Sequence, residues 1–354
     1  MQQIFETYRD IFAGGRLYFL ASASTSFYTF IRHKGIENSC ILCPSNICYS
    51  IPYTILATSN RPLFYDVKKE TGNASLRSIR EILQKHDGIG AILLPHMFGN
   101  PIAEWDEIVR ECRAHGLVVV EDCAGALGLE FDRGGHTEKA DASIYSFASN
   151  KHVAMGRGGV LGCDEEIDVE GIGATIANGY IEHRYKIEML DRLYKAVFYS
   201  DDYYNLVGHL HTFNDFMADS HVYRFEPDED YASRLAKKLE DFDRDRAFRR
   251  EMNDDIDERI DFAKSWLARY KYGEGHNPWR HNLLVSDAAK RSELIAKLLE
   301  QGLPVSIWYP PIDTIFGQPF QPDSTEFSKK IVNFDFINAS KLQIDRYIET
   351  VNAL

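Results

Sequence analysis

Two stretches decide how this chain is built: VVVEDCAGALG, residues 118–128, and DASIYSFASNKHVAMGRGGVLGCDEE, residues 141–166. Each begins with a short apolar run, Leu117 to Asp122 in one and Ala142 to Phe147 in the other, and a third run, Val160 to Cys163, follows a glycine-rich turn. The runs are too short for helices and do not alternate apolar with polar. Strands of that kind are buried on both faces, which is the habit of a parallel sheet with helices on either side. The chemistry-bearing residues follow the runs. Asp122 closes the first, Ser146 falls near the end of the second, and Lys151 comes 29 residues after Asp122.

Working outward, the same alternation continues toward the N-terminus. Ser39–Pro44, Pro62–Val67 and Gly90–Pro95 read as strands. Ser50–Thr58, Leu76–Gln84 and Ala103–His115 read as helices, the second with Ile79, Ile82 and Leu83 on one face and the third stopped by Gly116. After about Glu166 the pattern changes. Residues 180–225 are rich in Tyr, Phe, His and Asp without a clean period. Tyr231–Phe242 and Asp243–Ile260 are charged helical stretches, Asn282–Val285 and Leu303–Trp308 strands, and Ala288–Gln301 and Leu342–Val351 helices. The expectation is an α/β protein with a mainly parallel central sheet in residues 1–225 and a smaller α+β domain in residues 226–354.

A chain of 354 residues with 44% hydrophobic and 26% charged residues suits a folded two-domain protein. A formal net charge of -13 argues against a general nucleic-acid binder, which needs cations to displace counterions from phosphates. No segment is apolar and long enough to span a bilayer, and the charged N-terminus lacks the apolar core of a secretory signal. The six cysteines lie mostly in apolar runs, the pattern of buried thiols in a reducing cytoplasm. Cys40, Cys43 and Cys48 are close together but lack a second pair or nearby histidines, so no metal site is expected.

In open parallel sheets ligands bind beyond the carboxyl ends of the strands. Asp122, Ser146, Lys151 and the turn Gly156-Arg157-Gly158-Gly159 all fall there. Each also has a plain structural reading. Lys151 fits a solvated loop lysine, Asp122 a helix N-cap, Ser146 a turn cap, Gly156, Gly158 and Gly159 a tight turn, and His96 a packed second layer.

Taken in order, these motifs resemble the DegT/DnrJ/EryC1/StrS family of sugar aminotransferases. The family pattern E-D-A-A-x-A-L-G corresponds to residues 121–128. Its D-x-x-x-x-S-F-x-x-x-K-x-x-x-x-G-x-G-G run is matched by Asp141, Ser146, Phe147, Lys151, Gly156, Gly158 and Gly159. Leu94–Asn100 is similar to the P-V-H-L-Y-G-Q loop, and Pro62–Thr71 to the P-V-F-x-D-V-D-P-x-T segment. The resemblance implies fold type I and pyridoxal 5'-phosphate. It implies that Lys151 binds the cofactor aldehyde and later moves the proton, and that Asp122 holds the pyridine nitrogen protonated. It further implies phosphate contacts from Ser146 and from Ala23 and Ser24 at a helix start, with Cys48 and Gly125 lining the ring. Arg224 stands for a phosphate ligand shared across a homodimer, and His96 and Tyr309 for substrate contacts. The reaction implied is amination of a nucleotide-linked keto sugar with glutamate or glutamine as donor. Retention of Lys151 sets the chain apart from the family's dehydratases, which carry histidine there.

Departures cluster around the substrate. Cys48, beside Tyr49, stands where an aromatic residue often stacks on the ring. Gly125 replaces a glutamine and Ala148 a histidine, and Trp308-Tyr309-Pro310-Pro311 replaces H-Y-x-P. A different pyridoxal-phosphate reaction on an amino acid or amine, and a non-catalytic regulatory relative, are therefore carried as alternatives.

Overall fold

The computed structural model describes residues 1–48, 50–130, 137–173 and 225–354. Its larger sheet has seven strands: β1 (Arg16–Leu20), β2 (Cys40–Pro44), β3 (Arg61–Tyr65), β4 (Ile89–Pro95), β5 (Val118–Asp122), β6 (Ala142–Ser146) and β7 (Gly159–Cys163), in the spatial order β1-β7-β6-β5-β4-β2-β3. The five from β3 to β6 are mutually parallel. β7 runs antiparallel to β6, and β1 antiparallel to β7. Continuous apolar runs become strands here because side chains on both faces are buried: β6 and β7 have no exposed position, and Ile41, Ile92, Val119 and Ile144 are sealed from solvent.

Helices cover the sheet where their apolar faces match it. Leu76–Lys85 buries Ile79 and Leu83, and Trp105–Ala114 buries Trp105, Ile108, Val109 and Cys112. Ala23–His33, capped by the Ser22 hydroxyl accepting from the Thr25 N–H at 3.1 Å, packs Phe27, Phe30 and Ile31 beneath the opposite face. The C-terminal part carries a second sheet of four antiparallel strands, β8 (Leu267–Arg269), β9 (His281–Val285), β10 (Val305–Ser306) and β11 (Ile331–Phe334), ordered β10-β11-β9-β8. It has its own core, in which Leu283, Leu294, Leu298, Phe334, Tyr347 and Val351 meet. The helix Glu229–Glu240 packs Tyr231, Leu235 and Leu239 against the large-sheet side, with Phe147 and Val160.

Several elements differ from the sequence reading. β1 carries no strong signal of its own and forms by pairing with β7. The strand expected over Leu303–Trp308 shortens to Val305–Ser306. The helix Pro322–Ser328 and strand β11 were not foreseen.

The register fixes the site. Asp122 pairs with Pro95 on one side and Ile144 on the other, so the ends of β4, β5 and β6 share one edge. The turn after β6 then folds back. Met155 and Gly158 hydrogen-bond to and from Phe147, the Gly158 N–H donates to Ala21 O at 2.9 Å, and Gly159 starts β7 against the first turn of the helix Ala23–His33. Two glycines make this possible. Gly158 has φ +100° and a Cβ there would lie 2.3 Å from the Tyr231 hydroxyl; on Gly159 it would lie 2.4 Å from Ser22 C.

Candidate active site

The edge described above collects the predicted residues. Asp122, at the end of β5, is 8% exposed, and its Oδ1 accepts the Ala124 N–H at 2.8 Å. Burial pushes the Asp122 carboxyl up, opposed by that N–H and by the nearby Lys151 charge. Lys151 is half-buried in the turn after β6, where its N–H donates to Ala148 O. Its ammonium makes no hydrogen bond or ion pair among the described residues; it lies 4.3 Å from the centroid of the Trp279 ring. Burial lowers the Lys151 amine, while Cys48 and Asp122 pull it up and Arg280 pushes it down. A half-buried amine near a buried acid is the pairing that a nucleophile and a ring-nitrogen partner require.

The surrounding residues define a cradle. Ser146 is buried, and its oxygen accepts the Ala148 N–H at 3.3 Å, leaving the hydroxyl proton to donate elsewhere. Ala23 and Ser24 stand half-buried in the first turn of their helix, whose backbone N–H groups have no acceptor within the helix. Cys48 is half-buried, its sulfur accepting from the Ser50 hydroxyl at 3.2 Å. Tyr309 is half-buried, stacked on Trp279 with centroids 6.5 Å apart and planes at 16°, and burial and Cys48 hold its hydroxyl protonated well above the usual range. Gly125 lies under Trp279; a Cβ there would touch the indole at 3.5 Å. Arg224 and Tyr49 lie outside the described residues.

One expectation is corrected. His96 does not face a substrate: it is 1% exposed, its Nε2 lies 3.0 Å from Glu121 Oε1, and its Nδ1 accepts the Ile102 N–H at 3.1 Å. Glu121 in turn takes the Ser143 hydroxyl, and the Cys123 thiol sits against it. The motif holding His96 puts it one layer behind Asp122, packed on Trp105 with ring centroids 5.1 Å apart, where both ring nitrogens are used.

Two residues that the sequence reading missed line the site. Trp279 and Arg280 precede β9, far along the chain from Lys151, in a loop with no periodicity. The Trp279 Nε1 donates to Asn150 O at 2.5 Å, pinning the indole to the residue before Lys151. The only local signal is an aromatic and a basic residue placed just before an apolar run.

A family model for the DegT/DnrJ/EryC1/StrS aminotransferases matches residues 18–334. The chain belongs to that family. It is a family of pyridoxal-phosphate enzymes of fold type I, and the residues at the strand ends fit the group: an amine with no ion pair among the described residues, a buried acid, a serine and a helix start with free N–H groups. Among its relatives, the UDP-4-amino-4,6-dideoxy-N-acetyl-beta-L-altrosamine transaminase of Campylobacter jejuni is 27% identical over 173 residues, 47% of this chain and 44% of the relative. The chain thus spans less than half the length of that curated relative. Among solved structures, the aminotransferase TlmJ of Streptoalloteichus hindustanus superposes with a TM-score of 0.73 at 16% identity, covering 99% of this chain and 89% of the other. NtdA of Bacillus subtilis, solved with bound cofactor PMP, gives 0.70 at 15% identity over 99% of this chain and 75% of its own. Among the described residues no helix is long and apolar enough to cross a membrane.

Proposed function

We propose that this protein is a pyridoxal-phosphate aminotransferase that converts a nucleotide-linked keto sugar to an amino sugar, with glutamate or glutamine as the amino donor. The observation carrying this reading is the Lys151 amine, without an ion pair among the described residues and lowered by burial, at the same sheet edge as buried Asp122. The relative that acts on a UDP-linked sugar supports the substrate class.

When bound, the cofactor supplies an aldehyde that takes up an amine and a ring that draws electron density away from it. Lys151 Nζ would hold the cofactor through its aldehyde and, as a free amine, would carry a proton to or from the substrate carbon. Asp122 holds the proton on the ring nitrogen. The Ala124 N–H fixes one Asp122 oxygen, and the other would be left to take the ring N–H. Ser146 would donate its hydroxyl to the phosphate, the first-turn N–H groups of Ala23 and Ser24 would cradle it, and Arg224 would supply a phosphate ligand shared across a homodimer. Cys48 and Gly125 would line the ring, and Tyr309, held protonated, would offer a donor to the substrate. Residues 1–225 then form the cofactor domain and residues 226–354 the smaller one, in a cytoplasmic enzyme.

A different pyridoxal-phosphate reaction on an amino acid is the second reading. It is favoured by the departures from the family pattern around the substrate, where Gly125 stands in place of glutamine with the Trp279 indole over it. The experiment is a panel of nucleotide-linked keto sugars and amine donors followed by cofactor absorbance. Conversion of a keto sugar coupled to loss of glutamate's amino group supports the first reading. Turnover of amino acids alone supports the second, and a spectrum unmoved by every amine contradicts both.

A further inference from the structure

The two carbonyls that flank Lys151 lie in the turn after β6, and both are taken by side chains from the C-terminal part of the chain. Asn150 O accepts the Trp279 Nε1–H at 2.5 Å, and His152 O accepts an Nη2–H of Arg249 at 2.9 Å. The His152 ring is a third tie. It is 7% exposed, and burial and the Arg249 charge push its pKa well below the usual range. The neutral ring then donates from Nε2 to Asn277 O at 3.1 Å.

These anchors are themselves fixed. The Asn277 N–H donates to Gly99 O and the Trp279 N–H to Phe98 O, each at 2.9 Å, while Asn277 Nδ2 donates to Leu127 O at 2.7 Å. The loop 277–279 is thereby tied to the turns after β4, β5 and β6 together. Gly99 permits this approach: its φ is +79°, and a Cβ there would lie 1.7 Å from Asn277 O. Arg250 Nε donates to His276 O at 2.7 Å, which joins the helix Phe242–Arg259 to the same loop.

Arg249 is the costly member of the set. It is 5% exposed and forms no ion pair among the described residues; burial lowers its pKa to about 10, with Asp245 and Asp335 favouring its charge from farther off. A buried charge without an ion pair is destabilising, and a neutral donor or water can satisfy a turn carbonyl. What the planar guanidinium adds is a rigid donor in a fixed direction.

We propose that Arg249 is a positioning residue for Lys151. Through the His152 carbonyl, and opposite the Trp279 N–H on Asn150, it holds the backbone on both sides of the lysine so that the amine stays at the sheet edge near Asp122. The catalytic meaning of this clamp rests on the reading of Lys151 as the cofactor lysine; the clamp itself does not.

The test uses the full chain and two variants. Arg249→Met keeps the buried stem and removes the donor and the charge, and Arg249→Lys keeps one donor. The first arm needs no cofactor: reductive methylation of Lys151 with formaldehyde and cyanoborohydride is followed by peptide mass across pH, with exposed Lys297 as the internal reference. Burial is the largest influence lowering the Lys151 pKa, ahead of Cys48, Asp122 and Arg280. A released turn admits water, so the Lys151 midpoint moves up in Arg249→Met toward about 10.4, while that of Lys297 stays. The second arm compares covalent attachment of pyridoxal phosphate with the affinity for pyridoxine 5'-phosphate, which has no aldehyde for the lysine. Attachment slows by about 10- to 100-fold in Arg249→Met, and pyridoxine phosphate binds as in the parent. Arg249→Lys falls between in both arms. An unmoved Lys151 midpoint in folded Arg249→Met overturns the proposal, as does an equal loss for pyridoxine phosphate. Should Arg249→Met fail to fold, parent values in both arms for Arg249→Lys overturn it. If pyridoxal phosphate never attaches to Lys151 in the parent, the cofactor reading fails and the methylation midpoints alone decide the clamp.

Discussion

The Lys151 ammonium lies 4.3 Å from the centre of the Trp279 indole, across a sequence separation of well over a hundred residues. The indole is held by its own N–H on the Asn150 carbonyl, which ties the aromatic floor to the residue before the lysine. The π face favours the ammonium modestly, by about 0.5–2 kcal/mol, while burial disfavours it. Among the described residues the amine thus has no hydrogen bond that a cofactor would have to break.

That balance gives a pH dependence. Burial, the largest influence, lowers the Lys151 pKa, so the neutral nucleophilic amine is reached below the ordinary lysine value of about 10.4. The rate of covalent cofactor attachment to the cofactor-free protein should rise with pH and reach half its maximum below that value. Trp279→Ala, which removes the floor, should change this midpoint. A midpoint at or above about 10.4 in the parent protein contradicts the buried-amine account.

His96 tests the correction made by the structure. Its ring pairs with buried Glu121 while Glu121 also accepts from Ser143. His96→Ala leaves that acid short of a partner and should cost about 3–5 kcal/mol of stability, read as a lower urea midpoint. The apparent affinity for amino donors should be unchanged at a temperature where the variant is folded. A stable variant with weakened substrate binding would return His96 to the substrate.

Gly159 ties β7 to the start of the helix Ala23–His33. Gly159→Ala places a methyl 2.4 Å from Ser22 C and 2.6 Å from the Ala23 nitrogen, both backbone, so one element must shift. The expected cost is about 1–3 kcal/mol. Because the displaced N–H groups face the proposed phosphate, affinity for pyridoxal phosphate should fall more than affinity for pyridoxal. Equal losses for the two would separate Gly159 from the phosphate.

Asp122→Asn should fold, since burial already disfavours the Asp122 charge. Its raised pKa means that the folded state binds the proton more tightly than the unfolded state. Stability of the cofactor-free parent therefore falls as pH rises from the unfolded carboxyl value, about 3.9, through the folded one. Asp122→Asn should lack that component of the fall, seen in urea midpoints measured across the acid range. Its transamination rate should drop, by about 10²–10⁴-fold if proton movement at the substrate carbon depends on the ring proton.

The sequence carried the half of the site that lies on consecutive strand ends. Asp122, Ser146 and Lys151 follow uninterrupted apolar runs, and strands β2 to β7 lie close to where those runs predict them. β1 was silent because RLYFL becomes a strand only when β7 is there to pair with it. Trp279 and Arg280 were silent for a similar reason. They reach the site through the packing of a loop before β9, and neither spacing nor periodicity records such a contact. His96 shows the opposite error: its motif was legible, but adjacency in sequence to a strand end does not say which way a ring turns.

The central claim is that Lys151 is the residue that holds the cofactor. Borohydride reduction of the pyridoxal-phosphate-loaded protein, followed by proteolysis and peptide mass analysis, tests it most directly. The account predicts a reduced pyridoxyl group on the peptide containing Lys151, absent from Lys151→Ala. A label on another lysine, or a label that survives in Lys151→Ala, contradicts it.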